Sequence, residues 1–506
     1  MDRIKIGWGR RVISIDEPVS IPGQMYTRVS EGILDSLYAT AVCMDGGAGQ
    51  EYVIFCSLDV TVMRRGFMYD VLEKVKEKKP EINVDNIICN ATHTHTSCHM
   101  NPQPETTPDG RPIYPSEKWR AFATVQVADA IIEAYETKNE GGIAYGYGYA
   151  VVAHSRRSTY LVDKGGTDGS SSNGFAIMYG KTNDPDFAGY EAGADHFVNL
   201  MYTFDAANKL TGIIINVPCP SQITETYVKL TADFWANVRE KVAEKYGPDV
   251  YVLTQCAAAG DLSPRILHYH LAQRRRFDLK YDMKYGKSTK DVRGTDYWNK
   301  VMGERKDIAE RIMTAVNEVY EWASKDIETV LPIQHEMKSL DLQRRMITEE
   351  ELQYAENVLA TAKLEIPEGL SAEEEQKLKD RFDRKISRNK GIIERFNTQN
   401  QETTVPSRVH VLRIGDVGFA TCRFEFYMDY MHRIQARSPF VQTFFIQLAG
   451  EENGSYLPTE RSKGNKGYGS SMYESQFGPE AGRQIVENAV ETLTRMAEEY
   501  PISYTV

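Results

Sequence analysis

Short apolar runs alternate with amphipathic segments along most of this 506-residue chain. The continuous apolar runs at 52–58 and 210–217 are typical of buried strands. A helical spacing of apolar residues follows the first run at 67–79, and a second apolar run lies at 84–90. This βαβ-like order predicts a largely buried sheet. We therefore expect an α/β fold in which mixed β-sheets are flanked by helices.

The rest of the chain continues the alternation without a linker, an internal repeat or a clear boundary. This favours one large domain over residues 1–506. Two charge-rich segments, at 348–363 and 372–397, predict a helical hairpin, which we interpret as an insertion at about 345–400. The basic and aromatic segment 274–290 is interpreted as a solvated flap. Further strands are predicted at 197–204, 250–255, 409–414, 417–421 and 444–448, and further helices at 116–135, 230–246, 297–324 and 479–500.

Composition limits the class of protein. A hydrophobic content of 41% and a net charge of -11 indicate a soluble globular protein and argue against a nucleic-acid surface. The sequence has no apolar run long enough for an integral membrane segment, and its start has no pattern of a secretion signal. We expect a cytoplasmic protein with a small-molecule substrate, and a homo-oligomer remains open.

The seven cysteines are scattered and mostly lie in apolar sequence. This pattern is typical of free buried thiols in a reducing compartment, so we expect no disulfide framework. They are Cys43, Cys56, Cys89, Cys98, Cys219, Cys256 and Cys422.

The most distinctive stretch follows the apolar run at 84–90. It is NATHTHTSCH at 90–99, which places three imidazoles within seven residues. His93 and His95 alternate, so on an extended backbone both point to one face and can converge on one metal ion or one substrate oxygen. The competing interpretation is a pair of structural histidines.

Other residues with chemical potential lie far apart in the sequence. Cys219 stands between two prolines that hold it at the end of a strand. Asp261 and Ser263 lie in a turn of small residues, which is a weak signal because such residues are common in turns. Glu425 is an acid in an apolar run, where a buried carboxylate is usually paired or metal-bound. The residues themselves thus favour a metal-dependent hydrolase.

Several separate motifs, in the right order, resemble the neutral (non-lysosomal) ceramidases over nearly the whole chain. THTHTS at 92–97 resembles the THTHSG of that family, RSTYL at 157–161 its NRSPxxYL, and GDLSP at 260–264 its GDVSPN. Glu425 falls where the family has the Glu of PGE. NGSYLPT at 453–459 resembles its NxYxxYxTT loop, and YES at 473–475 with FGP at 477–479 resembles its YEAAS and YGP.

The resemblance implies one zinc ion and hydrolysis of an amide bond. His93, Glu425 and Tyr456 would be zinc ligands. His95, Arg157 and Tyr473 would surround the scissile carbonyl. Asp261 and Ser263 would orient the metal ligands or the substrate, with a serine nucleophile as a minority interpretation.

The sequence departs from the family pattern in three places. Cys219 stands where the family has its second zinc histidine. A thiolate can bind zinc, so either Cys219 is a ligand or the site is metal-free or uses another ion. Arg265 replaces an asparagine and could bind an anionic group of the substrate. No segment matches the C-terminal β-sandwich domain that ceramidases carry, so we expect the catalytic domain alone.

Three functions follow from this pattern. The first is a zinc-dependent amidohydrolase acting on an N-acyl compound. The second keeps the metal site but cleaves a glycoside or ester of a soluble, acidic carbohydrate, as suggested by Arg265 and the basic segment 274–276. The third is a non-catalytic descendant that only binds a ligand, as suggested by Cys219.

Overall fold

The structure is a computed structural model that describes residues 2–24, 26–107, 110–164, 174–281, 295–450 and 456–504, without the side chains of 295–299 and 373. The strands are β1 (Lys5–Val12), β2 (Ser20–Ile21), β3 (Arg28–Val29), β4 (Tyr38–Asp45), β5 (Tyr52–Leu58), β6 (Ile87–Ala91), β7 (Asn139–Tyr149), β8 (His154–Ser155), β9 (Arg157–Tyr160), β10 (Ala176–Met178), β11 (Phe187–Tyr190), β12 (Phe197–Asp205), β13 (Leu210–Val217), β14 (Tyr251–Cys256), β15 (Leu262–Ser263), β16 (Ile333–Gln343), β17 (Thr404–Ile414), β18 (Val417–Thr421), β19 (Glu425–Phe426), β20 (Gln442–Ile446) and β21 (Tyr456–Leu457). The helices are α1 (Arg65–Lys78), α2 (Ser116–Glu136), α3 (Phe234–Tyr246), α4 (His270–Tyr281), α5 (Thr295–Ala323), α6 (Glu349–Thr361), α7 (Ala372–Thr398), α8 (Met428–Arg437), α9 (Glu460–Asn465) and α10 (Pro479–Glu499).

The largest sheet has eight strands in the order β14-β13-β12-β7-β1-β4-β5-β6. Its two edges are parallel pairs, β13 with β14 and β5 with β6, and its centre is antiparallel. A helix connects the strands of each parallel pair, α1 on one edge and α3 on the other, as parallel pairing requires. The carboxyl ends of β5 and β6 therefore lie side by side at one edge.

A second sheet, in the order β16-β17-β18-β20, packs face to face on the first. Side chains alternate along β5: Val53 and Phe55 point into the layer between the sheets, whereas Ile54 and Cys56 point to the helices. The rings of Phe55 and Phe419, one from each sheet, lie 5.3 Å apart in that layer. An apolar layer between two sheets explains why these strands are apolar on both faces.

Helices cover the outer face of each sheet. Helices α2, α3 and α5 pack on the large sheet, with α1 against α2, and helices α8 and α10 pack on the second sheet. The arrangement is four layers in the order helix, sheet, sheet, helix. It confirms the prediction of mixed sheets flanked by helices.

The predicted element boundaries are accurate where the hydrophobic pattern is strong. The strands at 52–58, 210–217 and 417–421 have the predicted bounds. At 84–90 the chain first makes a 3-10 turn, Val84–Asn86, because the Asn83 side chain accepts a hydrogen bond from the Asp85 N–H and caps it. The first part of the basic segment 274–290 lies in helix α4, of which Phe277 is buried, and residues 282–290 lie outside the described part of the chain.

The hairpin α6–α7 was predicted from its charges and lies on the surface. Each helix begins with a capping box, at Thr348 with Glu351 and at Ser371 with Glu374. A small apolar cluster, which includes Ala355, joins the hairpin to the rest of the molecule.

All seven cysteines are buried and free. Among the described residues, no helix is long and apolar enough to cross a membrane.

Candidate functional site

The segment after β6 is fixed in place by hydrogen bonds to three neighbouring elements. The Thr92 N–H donates to the carbonyl of Leu58 at the end of β5, and the Ala91 N–H donates to the carbonyl of Leu448. The Ser221 hydroxyl donates to the Thr92 carbonyl at 2.8 Å. The histidine motif is therefore held rigidly at the carboxyl ends of β5 and β6, where α/β proteins commonly place their sites.

His93 is buried and lies in the left-handed backbone region, with φ of 63°. Such a conformation is costly for a residue other than glycine and is concentrated at functional sites. Its Nδ1 lies 2.7 Å from the Thr61 carbonyl oxygen, which can only accept, so Nδ1 carries the proton. Nε2 then presents a lone pair, 3.4 Å from Oε2 of Glu425 and 3.3 Å from Nε2 of His95.

Glu425 and Tyr456 reach this point together because β19 and β21 pair in parallel with these two residues in register. Gly260 packs so closely on Glu425 that a Cβ atom would lie 2.3 Å from its carbonyl oxygen, so only glycine fits there. Burial alone would raise the pKa of Glu425, but its neighbours, among them the Arg156 cation and the Tyr456 hydroxyl, hold it below its ordinary value. Glu425 is therefore a carboxylate at neutral pH, and burial raises the pKa of Tyr456, which stays a phenol.

Arg156 is a site residue that the sequence analysis missed. Its guanidinium is buried and donates to the Gly260 carbonyl at 2.8 Å, to Oε2 of Glu425 at 3.3 Å and to the Tyr456 hydroxyl at 3.1 Å. In the sequence, Arg156 is marked only by its position next to Arg157, because the family motif begins at Arg157. Neighbouring residues of an extended segment point to opposite sides, so a shift of one residue exchanges the arginine that reaches the site.

Arg157 lies next to Arg156 in the chain, but its guanidinium binds Glu191 and two backbone carbonyls instead of Glu425. Its guanidinium makes a two-pronged ion pair with Glu191, in which Nη2 lies 3.0 Å from Oε1, and it donates to the carbonyls of Lys466 and Tyr468. These contacts hold the 466–470 segment against β9. In the structure, Arg157 thus positions the segment that carries Tyr468.

His95 is held between two polar side chains of the segment after β13. The Gln222 amide nitrogen lies 2.9 Å from Nε2, and Glu225 Oε2 lies 3.8 Å from Nδ1. The Gln222 amide oxygen accepts from Arg156 at 3.4 Å, so its amide nitrogen donates to Nε2 of His95. Burial lowers the pKa of His95, so His95 is neutral at pH 7.

Gly23 forms one wall of the His95 position. Its φ is 92°, and a Cβ atom there would lie 2.5 Å from the His95 ring. Glycine is needed for both the backbone conformation and the close approach.

Asp261, Ser263 and Arg265 lie around the site and do not touch His93. Asp261 is buried and accepts from the Met428 N–H at 3.0 Å, which caps the start of α8. Burial raises the pKa of Asp261 to about 6. The Ser263 hydroxyl accepts from the Arg265 N–H at 3.2 Å, and the Arg265 guanidinium pairs with Glu225.

The side-chain hydrogen bonds of Tyr473 and Cys219 go to residues other than His93, Glu425 and Tyr456. The Tyr473 hydroxyl donates to Asn389 of α7 at 2.7 Å, so this ring contacts the hairpin. The Cys219 sulfur is buried and lies 3.4 Å from the Val152 carbonyl oxygen and 3.6 Å from the Pro220 carbonyl oxygen. Burial raises the pKa of Cys219, which favours the neutral thiol.

Tyr179 is a further residue that the sequence did not reveal. It has a φ of 56° and keeps an exposed ring, and its hydroxyl lies 3.4 Å from the Gln222 amide oxygen. The strained backbone is invisible in the sequence, since no pattern marks a tyrosine in this conformation. Residues 453–455 of the NGSYLPT motif lie outside the described part of the chain, whereas Tyr456 lies inside it.

The donor set can be tested against a zinc ion. Two ligands of a tetrahedral zinc at bond lengths of about 2.0–2.1 Å lie about 3.3–3.4 Å apart. The 3.4 Å between His93 Nε2 and Glu425 Oε2 fits this spacing, and the Tyr456 phenol is hydrogen-bonded to Glu425. Within the described ranges, His, Cys, Asp and Glu side chains form no group of three or more that could hold a metal.

Comparisons with known proteins identify the fold. The structure is similar to the neutral ceramidase from Pseudomonas aeruginosa, with a TM-score of 0.65 and 15% sequence identity, covering 100% of this chain and 76% of that chain. It is also similar to a ceramidase complexed with C2, with a TM-score of 0.63, 15% identity and coverage of 100% and 77%. No protein-family model and no curated protein matches the sequence. The chain therefore has the neutral ceramidase fold.

Proposed function

We propose that this protein is a zinc-dependent hydrolase that cleaves the amide bond of an N-acyl compound. The observation that carries the proposal is the convergence of the His93 Nε2 lone pair and the Glu425 carboxylate, 3.4 Å apart, beside the Tyr456 phenol. The fold shared with neutral ceramidases supports the amide as the bond that is cleaved. His93, Glu425 and Tyr456 would hold the ion.

Zinc bound there would lower the pKa of a water molecule to about 7 and polarise the substrate carbonyl. The Thr61 carbonyl fixes the tautomer of His93, which leaves Nε2 free to act as a ligand. The hydrogen bonds that Arg156 donates to Glu425 and Tyr456 orient both oxygens. Its charge, held in a buried place, also stabilises an oxyanion that develops on the carbonyl.

His95 is suited to move the proton. It is neutral at pH 7, its Nε2 faces the site, and the hydrogen bond from Gln222 fixes its orientation. An imidazole with a lowered pKa gives up a proton readily once it has taken one, which suits the protonation of a leaving nitrogen. Asp261 and Ser263 act as positioning residues in this proposal.

The carbohydrate alternative depended on Arg265 and the basic segment 274–276. Arg265 pairs with Glu225, and Arg276 lies 2.8 Å from Asp307. Since these arginines are already paired with acids, they give less reason to expect an acidic carbohydrate as the substrate. The pairs carry no information about whether an ester or a glycoside is cleaved. A panel of ester and glycoside substrates therefore belongs in the test.

The test combines metal analysis with hydrolysis of N-acyl, ester and glycoside substrates. We expect about one zinc per chain, amide hydrolysis that a chelator abolishes, and loss of both zinc and activity in His93→Ala. His99→Ala is the matched control, because the side-chain hydrogen bonds of His99 in the described structure go to the Asn101 backbone and not to the site. Purified protein without metal, or activity that chelators leave intact, would contradict the proposal.

A further inference from the structure

Helix α7 joins two loops that are far apart in the sequence. The Lys377 ammonium lies 4.8 Å from the ring centroid of Tyr26. About eleven residues further along, Arg388 pairs with Glu474 at 2.8 Å and Asn389 accepts from Tyr473. At 1.5 Å per residue, the helix spans about 16 Å between these contacts.

Both loops border the candidate site. Gly23, in the first loop, packs directly on the His95 ring, and Gln24 donates to the Glu225 carbonyl at 3.2 Å. In the second loop, the rings of Tyr468 and Tyr456 lie 5.4 Å apart. Because α7 contacts one loop near each end of this span, its middle turns lie between the two loops that border the site.

Arg384 lies in those middle turns. It follows Lys377 by seven residues and precedes Arg388 by four, which places the three cations on one face of the helix. That face is the one that contacts the two loops. Arg384 is also close enough to Tyr468 to interact with it electrostatically.

Arg384 forms no ion pair among the described residues. Asp380, one turn earlier, stabilises the Arg384 cation from a distance and accepts a hydrogen bond from Gln376 at 2.8 Å, while Glu474 pairs with Arg388. Partial burial, together with the charge of Arg388, lowers the pKa of the Arg384 guanidinium. A cation in this position gains stability when an anion binds beside it.

We propose that Arg384 binds an anionic group of the substrate, so that the preferred substrates are N-acyl compounds carrying a carboxylate or a phosphate. This inference rests on the proposed amide hydrolysis and adds the class of substrate to it. The guanidinium is suited to either anion, because its planar set of N–H donors matches both in a two-pronged geometry. The role of Arg384 is recognition, without a part in the chemical step.

The test uses three probes with the same octanoyl chain: N-octanoylglycine, the phosphate ester of N-octanoylethanolamine, and uncharged N-octanoylethanolamine. We expect the wild type to show a kcat/KM for one or both anionic probes at least about tenfold above the neutral one. Arg384→Gln should reduce this ratio about tenfold, mainly through KM, and Arg384→Lys should restore part of it. The anionic probe with the larger ratio identifies the carboxylate or the phosphate as the preferred group.

The control is Lys390→Gln, which removes a cation of the same helix about 120° around its circumference and should leave the ratio unchanged. Equal kcat/KM values for charged and neutral probes in the wild type, or equal losses for both in Arg384→Gln, would overturn the inference. Calorimetry then measures how tightly the Glu425→Gln variant binds the intact probes. This measurement tests anion recognition by Arg384 separately from the proposed amide hydrolysis. If nothing is hydrolysed but anionic probes bind more tightly through Arg384, the recognition role stands and amide hydrolysis fails.

Discussion

At the scale of single residues, the orientation of the extended segment at Arg156 and Arg157 decides which of the two side chains reaches the site. Arg156 and Arg157 are adjacent, yet one contacts Glu425 and the other Glu191. The two arginines therefore have separable roles. Arg156 is placed to stabilise charge at the site, and Arg157 to hold a loop.

A matched pair of substitutions tests this separation. In Arg156→Gln we expect kcat to fall about 10²- to 10³-fold, the usual cost of removing one oxyanion donor. Arg157→Gln should instead lower the midpoint of thermal unfolding, because it leaves the buried Glu191 without its cation. Steady-state kinetics and calorimetry on both variants measure the two effects, and a larger loss of kcat in Arg157→Gln would reverse the assignment.

Asp261 gives a second test at this scale. Burial raises its pKa from 3.8 to about 6 in the folded state, so folding favours the protonated form. This raised pKa contributes about 3 kcal/mol to the free energy of unfolding, at about 1.4 kcal/mol per pKa unit. The contribution is fully present below about pH 4 and is lost as the pH rises through about 6. Asp261→Asn keeps an acceptor for the Met428 N–H and removes this charge. Urea unfolding from pH 4 to 7 should show that the free energy of unfolding of Asp261→Asn increases relative to that of the wild type as the pH rises. A difference that stays constant over this range would contradict the raised pKa of Asp261.

At the scale of elements, the hairpin α6–α7 was predictable, but its contacts were not. Charge pattern and capping residues mark the two helices, because both are local properties of the sequence. The pairing of Asn389 with Tyr473 joins residues 84 positions apart, and no spacing rule predicts it. Likewise, the strand Ile333–Gln343 is partly exposed and mostly polar, so its pairing with Thr404–Ile414 has no clear hydrophobic pattern.

The Tyr473–Asn389 contact yields a test that distinguishes a structural from a catalytic tyrosine. Tyr473→Phe removes the hydroxyl and leaves the buried Asn389 amide oxygen without its donor, which costs about 1–3 kcal/mol. If Tyr473 acts through the hairpin, proteolysis within 349–398 should accelerate while kcat changes little. A drop in kcat of about a hundredfold with unchanged proteolysis would instead place Tyr473 at the scissile carbonyl.

At the scale of the whole molecule, the site joins segments from both ends of the chain. His93 follows β6 of the large sheet, whereas Glu425 and Tyr456 follow β18 and β20 of the second sheet, more than 330 residues later in the chain. The sequence predicts each segment, because strand ends and motifs are local, and the resemblance of the motifs indicated which residues belong together. It does not predict the distances, because these depend on how the two sheets pack. For this reason Arg156, Gln222 and Tyr179 became visible only in three dimensions.

A metal held by these segments would stabilise the entire fold. An ion at 100 times its dissociation constant adds about 2.7 kcal/mol of stability, since it binds the folded state and not the unfolded one. We therefore expect zinc to raise the unfolding temperature of metal-stripped protein by a few degrees, and His93→Ala to abolish this shift. Cys219→Ser should retain the zinc-dependent rise in unfolding temperature, because the Cys219 thiol contacts the carbonyl oxygens of Val152 and Pro220. Loss of the shift in Cys219→Ser, with the unfolding temperature of the stripped protein unchanged, would make the thiol a zinc ligand.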